Sequence, residues 1–191
     1  MDESPSGCWT NHHSITEYNG QWYLFYHHND YSPNFDKNRS ARIYSLFFNT
    51  DGTIKKVKPT LRGVGITDAR SKIQIDRYST ISPYGVTIDY LEPSNTFEGW
   101  QTLFNRAGTW VTYNKVDFGT TPVKRLKARV RSEKGGAITL RTPGEKGMTI
   151  AELPIKPTGK WTEISTNVSN APTSMQDLII TQTGENPVAV D

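Results

Sequence analysis

Apolar and polar residues alternate over short runs along most of the chain, and this two-residue period is typical of half-buried β-strands. In the first third of the sequence the runs are HSITEY, QWYLFY, RSARIYSLFF and TIKKVKPT. Asn19-Gly20 separates the first two runs and Asp51-Gly52 the last two, and both dipeptides are typical of tight hairpin turns. The pattern predicts an antiparallel meander of four strands.

A looser segment, TLRGVGITDAR, follows the meander and has no periodic apolar face, so we interpret it as a connector with a boundary near residue 65. Eight further strand candidates come after it: IQIDRY, GWQTLF, TWVTYNKV, VKRLKARVR, AITLRT, MTIAEL, WTEIST and QDLIITQ. Their spacing is typical of a β-sandwich or jelly roll. The sequence therefore predicts an all-β chain of two units, residues 1–65 and 66–191.

One of these strands has a strongly basic side. Four cationic residues alternate with three apolar ones, and the cations are Arg125, Lys127, Arg129 and Arg131. Alternation predicts that the basic side faces outward. We interpret it as a solvated sheet face, and the alternative is a surface that binds phosphates or acidic sugars.

Composition excludes several classes of protein. The 191 residues are 35% hydrophobic and 21% charged, with a formal net charge of +3, and no apolar run approaches membrane-spanning length. The charge is too mild to indicate nucleic acid, and basic and aromatic residues do not interleave along one strand. Cys8 is the single cysteine, so a disulfide within the chain and a thiolate metal site are both excluded. We expect neither a nucleic acid nor a membrane partner.

The four histidines form two pairs, His12-His13 and His27-His28, near the predicted first hairpin. Neighbouring residues on a strand point to opposite faces, so only one of each pair can face a given site. Two interpretations stay open: a metal centre that includes Asp30, or strand-end histidines with satisfied hydrogen bonds.

Carboxylates are the other chemistry-bearing side chains of the first unit: Glu17, Asp30, Asp36 and Asp51. Glycoside hydrolysis needs a pair of them, one protonated and one ionised. Asp51 belongs to its turn, Glu17 lies next to the hairpin turn, and the other two lie in a polar loop, so structural or solvated roles are favoured for all four. We expect no catalytic residues in this chain.

Two longer stretches carry a resemblance to known families. WTNHHSITEYNGQWYLFYHH, followed by NRSARIYSLFFNTDGTIKKV, resembles the last blade of the five-bladed β-propeller of glycoside hydrolase family 43. This resemblance implies that three catalytic acids lie on earlier blades, and that His12, rather than His13, and Arg39 line the substrate pocket.

The second unit resembles carbohydrate-binding module family 6 through IQIDRY, TWVTYNKVDFG, TGKW and the closing PVAVD. The resemblance implies a jelly-roll sandwich of galactose-binding type whose last strand is cut at the C-terminus. It also implies a cleft in which Phe104 and Trp161 hold a sugar ring between two aromatic planes. Ala189 replaces the usual asparagine of that cleft, which removes a hydrogen-bonding group.

The same resemblance implies a structural calcium site with Gln74, Asp76 and Asp191 as oxygen ligands. Together the two resemblances imply a fragment of an exported arabinoxylan-degrading enzyme of xylosidase or arabinofuranosidase type. Its partner would be plant cell-wall xylan or arabinan, and it would be extracellular or periplasmic with its signal outside this chain. The alternatives are a non-catalytic polysaccharide-binding protein and a jelly roll that only supports the blade.

Overall fold

The computed structural model describes residues 12–28, 39–58 and 60–191. The chain divides into two compact units, Met1–Val64 and Gly65–Asp191. Both are built from β-strands, and the helical content of the described residues is a single 3-10 turn, Thr96–Glu98. The all-β prediction is confirmed. No helix in this part of the chain is long and apolar enough to cross a membrane.

The first unit contains an antiparallel sheet of three strands in the order β1-β2-β3. These are β1 (His13–Tyr18), β2 (Gln21–His28) and β3 (Ser40–Leu46). Asn19 and Gly20 join β1 to β2 with φ angles of 49° and 75°. Two successive positive φ angles match the right-handed twist of the strands, so the predicted hairpin is confirmed.

The predicted fourth strand is wrong as a strand. Asp51-Gly52 does make a turn, in which the Thr53 amide donates to Asp51 Oδ1 at 2.9 Å. Beyond it, however, the described residues pair with the end of β3 only through the bridge between Phe48 and Ile54. Most side chains from 51 to 58 are exposed. Because this segment has no apolar face to bury, further pairing with β3 would add little stability. That the unit is a propeller blade stays a prediction.

The second unit has eleven strands among its described residues. They are β4 (Thr67–Asp68), β5 (Thr80–Ile81), β6 (Val86–Tyr90), β7 (Trp100–Phe104), β8 (Trp110–Asp117), β9 (Arg125–Arg131), β10 (Gly136–Arg141), β11 (Thr149–Ile155), β12 (Thr162–Asn167), β13 (Met175–Gln182) and β14 (Val188–Val190). One sheet has the order β11-β10-β13-β8-β4, with β5 paired to β8, and the other has the order β12-β9-β14-β7-β6.

These two sheets pack face to face around one hydrophobic core. Val111 and Tyr113 on β8 contribute from the first sheet, and Val130 and Val188 on β9 and β14 from the second, all of them buried. This is the predicted β-sandwich.

Seven of the eight strand candidates of the second unit are strands in the structure, but IQIDRY is not. Ile75 in this segment is buried in the core, and its carbonyl oxygen accepts a hydrogen bond from the Tyr113 hydroxyl. The segment therefore packs against the core although it forms no strand. Strand β6 was missed, although its sequence VTIDY alternates clearly.

The prediction that the basic side of β9 faces outward is confirmed. Val130 is fully buried, whereas the four cationic residues of β9 are exposed. Three of the four have polar partners nearby. Arg125 Nη2 donates to Ser165 Oγ and Lys127 Nζ to Glu163 Oε1, both on β12, and Arg129 Nη1 donates to Asp191 Oδ2, just after β14.

Candidate functional site

In the first unit the structure brings His12 and Arg39 together at one end of the sheet, around His27. The His12 amide donates to His27 Nε2 at 3.1 Å, and the two imidazole rings meet edge to face at 5.7 Å between centroids. Arg39 lies just before β3, whose first residues pair with the end of β2. It is close enough to act electrostatically on the His27 ring.

This arrangement lowers the pKa of His27. Burial has the largest effect, followed by the positive charge of Arg39 and then by His12 and His28. Nδ1 of His27 is buried and has no hydrogen-bond partner among the described residues. His27 is therefore held mainly as neutral imidazole, with Nε2 engaged by the backbone.

The histidine metal centre gains no support from the described residues. They contain no group of three His, Cys, Asp or Glu side chains arranged to hold a metal ion. Asp30, the carboxylate of that hypothesis, lies outside the described residues. Among the carboxylates considered for catalysis, Asp51 accepts the hydrogen bonds of its own turn, whereas Asp36 also lies outside the described residues.

In the second unit, the prediction that Phe104 forms one wall of a sugar cleft is wrong. Its side chain is 0% exposed and belongs to the core cluster with Val130 and Val188. A fully buried ring has no face to offer a ligand. Trp161 lies on the other side of the same sheet, against the outward-facing Arg129 and Arg131. The two aromatic rings are therefore not brought together.

Ala189 is buried in the middle of β14, paired with Leu103 on β7 and Arg131 on β9. Ala189 therefore offers no hydrogen-bonding group at this position, next to the exposed Arg131.

The three residues of the implied calcium site do not fit a ligand set as they are arranged. Asp191 faces two cations, with Arg129 Nη1 at 2.8 Å from Oδ2 and Lys72 Nζ at 3.4 Å from Oδ1. Asp76 is buried, and its Oδ2 pairs with Arg77 Nε at 3.2 Å. Gln74 is exposed. Carboxylates that are already neutralised by Arg and Lys are poor calcium ligands, so calcium stays a prediction from the resemblance.

The structure instead presents Trp110 on the outer face of the other sheet. Val111 and Tyr113 point inward, so Trp110 points outward at the start of β8. Across the sheet it continues a row of outward polar side chains, since Thr181 lies opposite Trp110, Thr139 opposite Thr181 and Glu152 opposite Thr139. Four strands at the usual sheet spacing make this row about 14 Å long.

A shallow cavity of about 330 Å³ adjoins one end of this row. Trp110, Arg106 and Tyr84 line it, and Tyr84 is 74% exposed. Trp110 and Tyr84 offer aromatic planes, and Arg106 and the neighbouring threonines offer hydrogen-bonding groups. A sugar ring binds to such a combination, because its C–H faces are apolar and its hydroxyls form hydrogen bonds. Sequence reasoning missed Trp110, although the alternation of TWVTY placed it opposite the core residues.

A larger cavity of about 800 Å³ opens between residues 69–75 and β9. Its floor is formed by apolar core side chains, among them Leu140 and Leu178. Charged side chains line the rest of it, among them Arg70, Lys127 and Glu163, and its aromatic residue, Tyr113, is buried in the core.

The model of carbohydrate binding module (family 6) matches residues 81–191. The chain is similar to an arabinoxylan arabinofuranohydrolase from Paenibacillus polymyxa, with 28% identity over 186 residues, which are 91% of this chain and 29% of that protein. An arabinoxylan arabinofuranohydrolase from Bacillus subtilis is 27% identical over 168 residues, covering 83% of this chain and 33% of that protein. The chain thus spans about a third or less of these relatives.

Among solved structures, the fold is similar to a glycoside hydrolase family 43 arabinoxylan arabinofuranohydrolase from Bacillus subtilis, with a TM-score of 0.65 and 24% identity. That match covers 95% of this chain and 40% of the other. A family 6 carbohydrate-binding module from Clostridium cellulolyticum, solved in complex with xylose, gives a TM-score of 0.57 at 27% identity, covering 65% of this chain and 95% of the other. Because the family model matches more than half of the chain, and the second unit has the matching sandwich, this chain belongs to carbohydrate-binding module family 6.

Proposed function

We propose that this chain is part of an arabinoxylan-degrading glycoside hydrolase of xylosidase or arabinofuranosidase type, and that its second unit binds plant cell-wall xylan or arabinan. The observation that carries the proposal is the alignment with an arabinoxylan arabinofuranohydrolase over 91% of the chain, which takes in both compact units rather than the module alone. An enzyme that attacks a cell-wall polymer works outside the cytoplasm, so we propose an extracellular or periplasmic location.

In this proposal hydrolysis inverts the anomeric centre, with one carboxyl group as general acid and another as the base that activates water. Those carboxylates lie outside this chain. The first unit contributes His12 and Arg39 to the substrate pocket, since both lie at the same end of its sheet beside the largely neutral His27.

The binding surface that we propose for a neutral xylan chain is the Trp110 row. Apolar C–H faces of the sugar rings stack on the indole, while their hydroxyls exchange hydrogen bonds with Thr139, Thr181 and Glu152. The row crosses four strands, a length of about 14 Å, which suits several consecutive sugar units of a chain.

Affinity electrophoresis of the 191-residue chain in gels that contain wheat arabinoxylan tests the proposal. We expect retardation of the wild type and its loss in Trp110→Ala. Phe97→Ala is the matched control, because Phe97 is 98% exposed in the same unit but lies outside the cavity.

No retardation on any neutral xylan or arabinan would overturn the binding function. Loss of retardation in Trp161→Ala but not in Trp110→Ala would retain the function and overturn the surface. A parent gene that encodes no carboxylate pair upstream would point to the non-catalytic binding protein.

A further inference from the structure

Trp161 is flanked by two guanidinium groups from the neighbouring strand. The guanidinium carbon of Arg131 lies 5.1 Å from the centroid of the indole, and that of Arg129 lies 5.4 Å from it. Both distances are within the range of cation–π attraction. The π surface of Trp161 is therefore used to hold cations.

Arg131 differs from the other cations of β9. Arg129 pairs with Asp191 and Lys127 with Glu163, as their ion pairs of 2.8 Å and 3.0 Å show. Arg131 is exposed, and among the described residues it has neither an ion pair nor a hydrogen bond; its contact is with Trp161. The guanidinium thus lies against the indole, and its N–H donors bond no acceptor among the described residues.

Nearby anions do not neutralise this group. Glu92 lies close enough for Arg131 to act on its carboxyl electrostatically, but its Oε1 accepts hydrogen bonds from Ser94 and makes no ion pair with Arg131. On the outer face of β9, β12 and β14, four cations stand against the two carboxylates of Glu163 and Asp191, an excess of two positive charges.

We propose that Arg131 binds the carboxylate of a uronic acid residue in an acidic polysaccharide, and that Trp161 is the positioning residue that holds the guanidinium. The planar guanidinium group can donate two parallel N–H hydrogen bonds to the two oxygens of one carboxylate. The neighbouring Arg129 adds long-range attraction while remaining paired to Asp191. A uronate fits this surface because the family binds carbohydrate and the surface is positive.

This site is separate from the Trp110 row, which lies on the other sheet, and it does not rest on neutral xylan binding. Isothermal titration with trigalacturonate in 0.05 M salt tests it on the full chain. We expect binding by the wild type, about tenfold weaker binding by Arg131→Gln, and partial recovery in Arg131→Lys, which keeps the charge without the fork.

Arg125→Gln is the matched control, since it removes the same charge from the same face of the same strand, where Arg125 already bonds Ser165. We expect its affinity to stay within about twofold of wild type. Trp161→Ala weakens binding without changing its salt dependence, because the charge remains. Arg131 is exposed, so Arg131→Gln should keep the wild-type thermal unfolding midpoint.

Three results would overturn the proposal. They are no binding of trigalacturonate, an equal loss in Arg125→Gln and Arg131→Gln, and binding of triglutamate as tight as that of trigalacturonate. The first two would leave the retardation on neutral arabinoxylan, and its dependence on Trp110, unaffected.

Discussion

Trp161, which directly precedes β12, lies beside Arg131 of β9, with the guanidinium carbon 5.1 Å from the indole centroid. This contact occupies a side chain that the family resemblance implies as a platform for a sugar ring. A second guanidinium, from Arg129, lies at 5.4 Å from the same ring. A neutral sugar would have to compete with both cations for the indole, so Trp110 on the other sheet is the better platform for it.

We expect the purified chain to release no sugar from aryl-xylosides or aryl-arabinofuranosides. Asp51 accepts the hydrogen bonds of its own turn, and the three catalytic acids that the family resemblance implies lie on earlier blades. Release of nitrophenol from the two aryl glycosides is the measurement. Turnover that Glu17→Gln abolishes would place a catalytic acid in this chain and contradict the expectation.

Phe104→Ala should lower the free energy of unfolding by about 4 kcal/mol, because it removes a fully buried ring and leaves a cavity in the core. Urea unfolding followed by tryptophan fluorescence measures the change. Phe97→Ala deletes the same side chain from a position 98% exposed, and we expect less than about 0.5 kcal/mol there. Equal effects of the two substitutions would argue against the burial of Phe104.

His27 should titrate below the usual histidine value of about 6.5, because burial and then the charge of Arg39 lower its pKa. The unfolded state then binds the proton more readily than the folded state does. The first unit consequently loses stability as the pH falls from about 6.5 through the lowered pKa, and histidine titration has no such effect above that window.

NMR titration of the His27 Cε1 proton, assigned with His27→Gln, tests this. Arg39→Gln should raise the pKa because it removes the neighbouring positive charge. Lys55→Gln is the control and should leave the titration unchanged, because Lys55 is exposed in the same unit and is not among the groups that shift the pKa of His27. A wild-type pKa of His27 at or above 6.5 would contradict the burial of the ring and the effect of the Arg39 charge on it.

Gln182→Leu should cost about 2 kcal/mol of unfolding free energy. Gln182 is 0% exposed, and its Nε2 donates to the carbonyl oxygens of Gly184 and Asn186. Leucine has a similar size but leaves both carbonyls without that donor in the turn that leads into β14. Gln74→Leu, at an exposed position, should change the free energy by less than about 0.5 kcal/mol in the same urea experiment.

Elements whose geometry is set by neighbouring residues were predictable from the sequence. Asn19-Gly20 specifies its turn because both residues tolerate positive φ, and the alternation along β9 specifies which side chains point outward. IQIDRY has the right alternation but makes no ladder, because strand formation also needs a partner edge. The Tyr113 hydroxyl donates a hydrogen bond to the Ile75 carbonyl instead.

The site was less predictable because it depends on which strands are neighbours. The burial of Phe104 follows from the position of β7 between β14 and β6, which no local pattern reveals. The two cations beside Trp161 follow from the pairing of β12 with β9. The outward position of Trp110, in contrast, could have been predicted from the sequence, because the alternation that points Val111 and Tyr113 into the core points Trp110 away from it.

The basic side of β9 also disfavours pairing of this strand with its neighbours in a wrong register. If β9 slipped by one residue against β12 and β14, all four of its positive charges would turn into the hydrophobic interior and Val130 would turn out into water. Such misaligned states lie far above the native one in free energy. The same residues that give this face its charge therefore keep the strand locked in its native alignment.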